Sequence, residues 1–398
     1  MIKLSSVERC RSPMGSSFVR LTGHFKAGNG TEDFDVWFDV DEELAGGFSE
    51  SGAPWLIAAI PYGFELGGTI AIERPTDAML LENTAAFAHI FRHWYRDLKP
   101  FEVIADKKIV DPGGEKAFAF FSGGIDSLHT ATRYTSLGGT DQVGSVDELL
   151  LIWGFDIELD SPSEFAALQK QSEDFAARLG VPLRVMATNI RRPGTFWTNR
   201  WGPLCHALGK AACALALEKR YKKAIWAAGY RSDRSVVEGS HPMTDHYLSS
   251  SGLAMVYDGA DSGRIDKIAF LSRFPWMLED IHVCWRGASS RNCGKCPKCL
   301  RTEIALELTG MMARCNSLPR VSLERIRKAY CGEPAERAFF TEMAEYAKKI
   351  GRSDMYMALC ESLTRSRHRA PIVNYLSRFE KTPGLWRAGR SIRHMLGA

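Results

Sequence analysis

An α/β fold built on a doubly wound parallel sheet is the class this sequence predicts, and three observations predict it. Apolar runs alternate with helical periodicity at βαβ spacing between residues 116 and 229. The first of those runs ends in a hexapeptide with two adjacent glycines, Ser122-Gly123-Gly124-Ile125-Asp126-Ser127, and a helical pattern follows. Far along the chain, Cys284, Cys293, Cys296 and Cys299 form a metal-type cluster that implies a separate small lobe.

The elements read in order as follows. Residues 19–25 and 34–40 alternate apolar and polar side chains, as half-buried strands do. Residues 55–60 and 69–72 are more continuously apolar. An amphipathic helix is predicted over 85–94 and a strand over 101–105, which together suggest an N-terminal α+β domain over 1–112. It carries no catalytic constellation, and its His89 and His93, although on one helix face, lack a third ligand. The strand 116–121 opens the next domain, 113–315. A buried strand is predicted over 148–157, and a helix then runs to about Leu179, opened by Pro162, capped by Ser163 and stopped by Gly180. A third strand spans 183–189. A long helix over 203–221 presents Leu204, Leu208, Ala211, Ala212 and Leu215 on one face, and a fourth strand covers 223–229. The rest, 316–398, reads as helical from Ser322 with a basic tail.

The chain has 398 residues, 45% of them hydrophobic, enough for two or three cored domains. No apolar run reaches the roughly 18 residues of a membrane span, and no signal-peptide pattern is read, so a cytoplasmic protein without a membrane partner is expected. A net charge of +4 is too mild to argue nucleic-acid binding. From Arg365 onward there are eight Lys or Arg and one acid, Glu380. The preferred reading is a solvated helix face; the alternative is a tail that touches nucleic acid, an acidic protein partner or a membrane surface. A homodimer is the expected assembly if there is one.

The hexapeptide has the makings of a phosphate seat. Adjacent glycines let backbone approach an anion, the N–H groups of the following helix point at it, and Ser122 and Ser127 add hydroxyls. Asp126 would repel phosphate alone, which calls for a divalent cation such as Mg²⁺ between them. The spacing is neither that of a Walker loop nor that of a dinucleotide fingerprint. The cysteines follow the spacing Cys-x8-Cys-Gly-x-Cys-x-x-Cys. Four thiolates suit a closed structural Zn²⁺ site, with an iron–sulfur cluster as the rival. Gly294 and Pro297 suit the knuckle turns. The remaining six cysteines are scattered and read as buried or incidental thiols.

The hexapeptide resembles the Ser-Gly-Gly-x-Asp-Ser signature of the PP-loop ATP pyrophosphatases. Together with the four cysteines and nearby Arg301, it is similar to 7-cyano-7-deazaguanine synthase of the queuosine pathway and its relatives, over roughly residues 115–312. The resemblance implies an adenine nucleotide alpha hydrolase-like fold, ATP and Mg²⁺ as cofactors, and a structural zinc on Cys284, Cys293, Cys296 and Cys299. It implies adenylation of a carboxylate, with release of pyrophosphate, followed by attack of a nitrogen nucleophile. It assigns pyrophosphate binding to Ser122, Gly123, Gly124, Asp126 and Ser127, with Gly229 beside them. Gly229 to Asp233 resembles the Gly-x-x-x-Asp step after the fourth strand of the synthases. Lys267 corresponds to their phosphate-contacting Lys, a catalytic role beside Asp126.

A substrate lip is expected over 229–267, with Asp233, His241 and Asp245 as its candidates. His241 before proline reads as a loop residue, and Asp245 as a metal or substrate contact because it has no evident packing role. Three features depart from the synthases. Residues 154–160 carry three acids in place of a Tyr-Gly-Gln run. His241-Pro-Met-Thr-Asp245 stands where they have Tyr-Pro-Asp-Cys. Both chain ends are longer. Lengthened synthase-like proteins also occur in antiphage and biosynthetic gene clusters, and the additions fit a different or larger acceptor, a small-molecule or protein carboxylate. The alternatives are a PP-loop sulfur transferase acting on tRNA or a small molecule, and a nucleotide-binding assembly module without turnover.

Overall fold

Ten strands join in one sheet: β1 (Ile2–Arg11), β2 (Phe18–Ala27), β3 (Phe34–Asp41), β4 (Gly68–Asp77), β5 (Phe101–Lys108), β6 (Lys116–Phe120), β7 (Glu148–Trp153), β8 (Leu183–Thr188), β9 (Tyr221–Ala227) and β10 (Ala254–Asp258). Their order is β10-β9-β6-β7-β8-β3-β2-β1-β4-β5. Neighbours run parallel except at β8–β3, β3–β2 and β2–β1. The result is an α/β protein with a mostly parallel sheet. The computed structural model describes residues 1–15, 17–28, 32–108, 112–192, 195–284 and 290–379. The last stretch of the basic tail, 380–398, lies outside the described residues. Among the described residues, no helix is long and apolar enough to cross a membrane.

Two units emerge, Met1–Asp261 with Trp285–Ser290, and Ser262–Cys284 with Arg291–Ala398. The sequence places boundaries near 112 and 315, whereas the structure divides at Asp261. The reason is the β3–β8 pairing, which carries the N-terminal strands into the same sheet as β6. Asn189 prolongs that ladder: its Oδ1 accepts from the Trp37 amide at 2.9 Å and its Nδ2 donates to the Asp35 carbonyl at 2.8 Å. Asn189, just past the carboxyl end of β8, is thus committed to strand pairing. One core then joins Phe38, Val40 and Trp55 to Phe118, Phe120 and Trp226.

Local differences have local causes. Residues 55–60 are the middle of the helix Ala53–Leu66, buried all round, so the apolar run carries neither a period of two nor one of 3.6. The helix Ala78–Trp94 starts earlier than the amphipathic stretch suggests, because Asp77 caps it by accepting from the Leu80 amide at 3.0 Å. Ser161, not Ser163, stands at the N-cap of the helix Pro162–Leu179. The long helix after 203 is His206–Leu215, entered through a π-helical turn at Trp201–Cys205. β1 and β10, which the sequence reading lacks, complete the sheet.

The end of the sheet where β6–β9 begin is held by charge. Glu148, 1% exposed, accepts from Arg220 Nε at 2.9 Å, from Arg184 Nε and Lys116 Nζ at 3.2 Å, and from the Tyr221 hydroxyl. Glu43 closes the cluster on Arg184 at 2.8 Å. Burial acts to raise the Glu148 carboxyl, but the hydrogen bonds from Arg220 and Tyr221 outweigh it and bring it down to about 2. A carboxyl lowered on folding stabilises above its unfolded value, and that contribution is lost as pH falls from about 4.5 toward about 2. The expected size is on the order of 2–3 kcal/mol. Urea unfolding between pH 6 and pH 2 measures it; Glu148→Gln should flatten the acid limb, and an unchanged slope would contradict the assignment.

In the second unit, Arg264–Leu271, Pro297–Leu308, Leu323–Lys328, Pro334–Lys349 and Ser353–Phe379 are helical, as expected from Ser322 onward. Cys331, Ser362 and Ser366 tie the loop ahead of Pro334–Lys349 to the last helix, with Cys331 N donating to Ser366 Oγ at 2.9 Å.

Candidate functional site

The hexapeptide follows β6, the strand beside which the chain order reverses: β7 and β8 lie on one side, β9 and β10 on the other. In parallel sheets the crevice at such a point, outside the carboxyl ends of the strands, is where ligands bind. The chain leaves β6 through Phe121 and turns at Gly123, whose φ of +71° belongs to the left-handed region that glycine adopts without strain. Gly124 is extended and is the N-cap of the helix Ile125–Arg133. The first intrahelical amide bond is Leu128 N to Gly124 O at 2.9 Å, so the preceding N–H groups face the turn. Ser127 Oγ folds back, donating to the Gly124 carbonyl at 3.0 Å and standing 3.3 Å from the Ser122 amide and hydroxyl. Asp126 is in the first helical turn. All five residues assigned to one anion seat are together.

The helix behind that seat is clamped. Thr130 Oγ1 donates to buried Asp258 at 2.7 Å, and Arg133 Nη1 holds Asp261 at 2.8 and 3.1 Å. These bonds tie the helix to the end of β10, so the turn is carried between β6 and a helix anchored to β10.

Around the rim, Gly229 follows β9, and a Cβ placed there would meet nothing within 4 Å. Open space at this glycine is compatible with a ligand beside it. Beyond β7 and β8, Arg191 donates to the Phe155 carbonyl, stands 3.6 Å from Asp156 and lies 5.0 Å over the Trp201 ring. Burial lowers its pKa. Asp156, one of the three acids in 154–160, therefore has a cationic partner beyond β8.

The remaining lip candidates separate. Asp233 is exposed and paired bidentately with Arg231 of its own loop, at 2.6 and 2.7 Å. That hydrogen-bonded pair lowers its carboxyl pKa. His241 packs edge-on to Trp94 at 5.1 Å, and its Nδ1 accepts from the Met243 amide at 3.1 Å. Burial lowers its pKa, which favours the neutral ring. Asp245 differs from expectation most. It is fully buried and accepts from Trp226 Nε1 at 2.8 Å, Ser240 Oγ at 2.6 Å, the His241 amide at 2.8 Å and Thr244 Oγ1 at 3.3 Å. Its acceptor capacity is committed to organising the 240–245 loop, which is the packing role that the sequence did not reveal.

Lys267 lies in the second unit, on the helix Arg264–Leu271, and is 1% exposed. Arg301, in the same unit, holds Glu336 at 2.8 Å and stacks 4.1 Å over Phe339. The buried lysine in the unit that contains the hexapeptide is Lys210, on the helix His206–Leu215, and sequence reasoning missed it. The signal was present: it is the one Lys, Arg, Asp or Glu between Pro203 and Leu217.

The four cysteines converge in the second unit. Their sulfurs all lie within 4.8 Å of one another, with Cys284–Cys296 at 4.0 Å, Cys293–Cys299 at 3.9 Å and Cys296–Cys299 at 3.4 Å. This cluster can hold a metal such as zinc. Gly294, at φ +62°, makes the knuckle turn, and the Cys296 amide donates to Cys293 Sγ at 3.2 Å. Cys296 caps the helix Pro297–Leu308 and accepts from the Cys299 amide at 3.4 Å. Asn292 braces the two limbs of the site: its Oδ1 accepts from the Val283 and Cys284 amides at 2.8 and 3.1 Å, and its Nδ2 donates to the Ile281 carbonyl at 2.7 Å. Such outer bonds orient the ligands of a metal. No protein-family model, curated protein or solved structure matches this chain.

Proposed function

We propose that this protein binds ATP with Mg²⁺ at the 122–127 turn and cleaves it to AMP and pyrophosphate, adenylating a carboxylate that a nitrogen nucleophile then attacks. The observation that carries this reading is the hexapeptide's position. It occupies the switch point of the sheet, with Gly123 in the left-handed region and open helix amides beyond Gly124. On this reading the turn receives the β- and γ-phosphates that leave as pyrophosphate. Asp126 holds the Mg²⁺ that offsets their charge, and Ser122 and Ser127 donate to phosphate oxygens. Mg²⁺ held by Asp126 would supply Lewis-acid charge stabilisation to the phosphate oxygens. The rim after β7 and β8, with Asp156 and Arg191, and the space beside Gly229 would accommodate adenosine and the acceptor. Zinc on the four cysteines is assigned a structural role, because four thiolates leave no open position.

The sulfur-transfer reading needs a thiol ready to ionise. Cys205 and Cys213, the cysteines of the helix under the crevice, are buried and their thiols are pushed up by that burial. This disfavours it. The test of the favoured reading is product analysis: incubation with ATP, Mg²⁺, ammonia and 7-carboxy-7-deazaguanine, followed by nucleotide chromatography and mass spectrometry. AMP, pyrophosphate and an amide or nitrile of the acid are expected. AMP without product would retain the chemistry and reject that acceptor. ADP and phosphate would refute the reading.

A further inference from the structure

Lys210 is 6% exposed, deep in an otherwise apolar helix face. Its Nζ lies 4.8 Å from the centre of the Trp226 ring. Among the described residues it has no hydrogen-bond acceptor; Asp245 and Glu238 act on it only through space. Asp245 cannot turn toward it, because Trp226, Ser240, His241 and Thr244 already occupy its carboxylate. Lys210 is largely buried, and with no protein acceptor its ammonium keeps donors that a ligand's anionic oxygen can accept from.

Position says which ligand. Trp226 is on β9 and stands 6.1 Å from Phe120 of β6, the aromatic just ahead of the hexapeptide. Phe120 ends β6 and Trp226 is the penultimate residue of β9, so Lys210 packs near the carboxyl ends of two adjacent strands at the switch point, in the unit that carries the hexapeptide.

We propose that Lys210 is an anion-binding residue of this crevice, donating to an anionic oxygen of the bound ligand, phosphate or carboxylate, in the place that the sequence assigned to Lys267. This deepens the ATP reading and rests on it for the identity of the phosphate, but not for the presence of an anion site. Trp226 acts as the pivot. Its indole N–H donates to Asp245 while its ring face lies against the ammonium, so the donors of Lys210 are left open toward a ligand.

Competitive labelling of the full chain with trace acetic anhydride, read lysine by lysine by peptide mass spectrometry, tests this. Pyrophosphate, AMP, ATP with Mg²⁺ and acetate are the probes. At least one should lower Lys210 acylation by about tenfold and leave surface lysines unchanged. Protection by phosphates alone or by acetate alone separates the two sources. In parallel, Lys210→Met should raise the melting temperature of the free protein and abolish the further rise on adding the protecting anion. No acylation of Lys210, acylation indifferent to all four probes, or a Lys210→Met protein that binds the anion as tightly as the parent would overturn the proposal. A parent that releases no AMP but whose Lys210 is protected would refute the ATP reading and leave the anion site standing.

Discussion

Replacing Asp126 by Asn is expected to lower release of AMP and pyrophosphate by about 10²–10³-fold. The melting temperature should stay within a few degrees of the parent. The two effects separate because Asp126 has two roles of different size. As an acid in the first turn of Ile125–Arg133 it complements the helix dipole, which is worth roughly 0.3–1 kcal/mol. As the only carboxylate of the hexapeptide it is the cation ligand that the proposed ATP reading requires. Asn keeps the shape and the neutral hydrogen-bonding capacity and removes the charge. Turnover equal to that of the parent, measured over a Mg²⁺ titration, would sink the assignment. Ser127→Ala should behave differently, because Ser127 Oγ also closes the turn on Gly124; some loss of stability is expected there together with the loss of rate.

Removing the metal should have the largest effect on stability. One zinc per chain is expected by elemental analysis. Chelation, or Cys296→Ser, should destabilise the second unit by several kcal/mol, since metal binding free energy is folding free energy where ligands are brought together only by the fold. Cys296 bears most, because it is a candidate ligand, accepts the Cys299 amide and caps Pro297–Leu308 at once. The core of the sheet includes none of the four cysteines. The loss should therefore appear as an early, separate transition in calorimetry. Asn292→Ala should weaken metal affinity by about 10–100-fold without removing a ligand. Iron in place of zinc, with visible absorbance, would replace the zinc reading by an iron–sulfur one. An unchanged melt after complete metal loss would deny the site a structural role.

Much of the site was legible in the sequence because its signals are local. The hexapeptide needs only a strand before it and a helix after it, and β6 and Ile125–Arg133 supply both. The cysteines announce themselves by spacing, and Gly294 by its knuckle turn. Asp245 was misjudged because its partners Trp226 and Ser240 come from separate segments, joined only by the fold. Lys267 and Lys210 show the same limit from opposite sides. Both are buried lysines on helices, and no local pattern says which unit each helix belongs to.

The sequence by itself determined the α/β class, the strand–glycine turn–helix of 116–133 and the four-cysteine cluster, because their signals are local. Only the tertiary structure decided that 1–108 share the sheet of β6. It likewise decided that Asn189 prolongs the pairing of β3 with β8, and that a buried lysine lies against the Trp226 ring. Strand pairing and burial depend on partners more than a hundred residues away, as Asn189 does on Trp37, |i−j| = 152. The free energy that selects them arises when those surfaces leave water together.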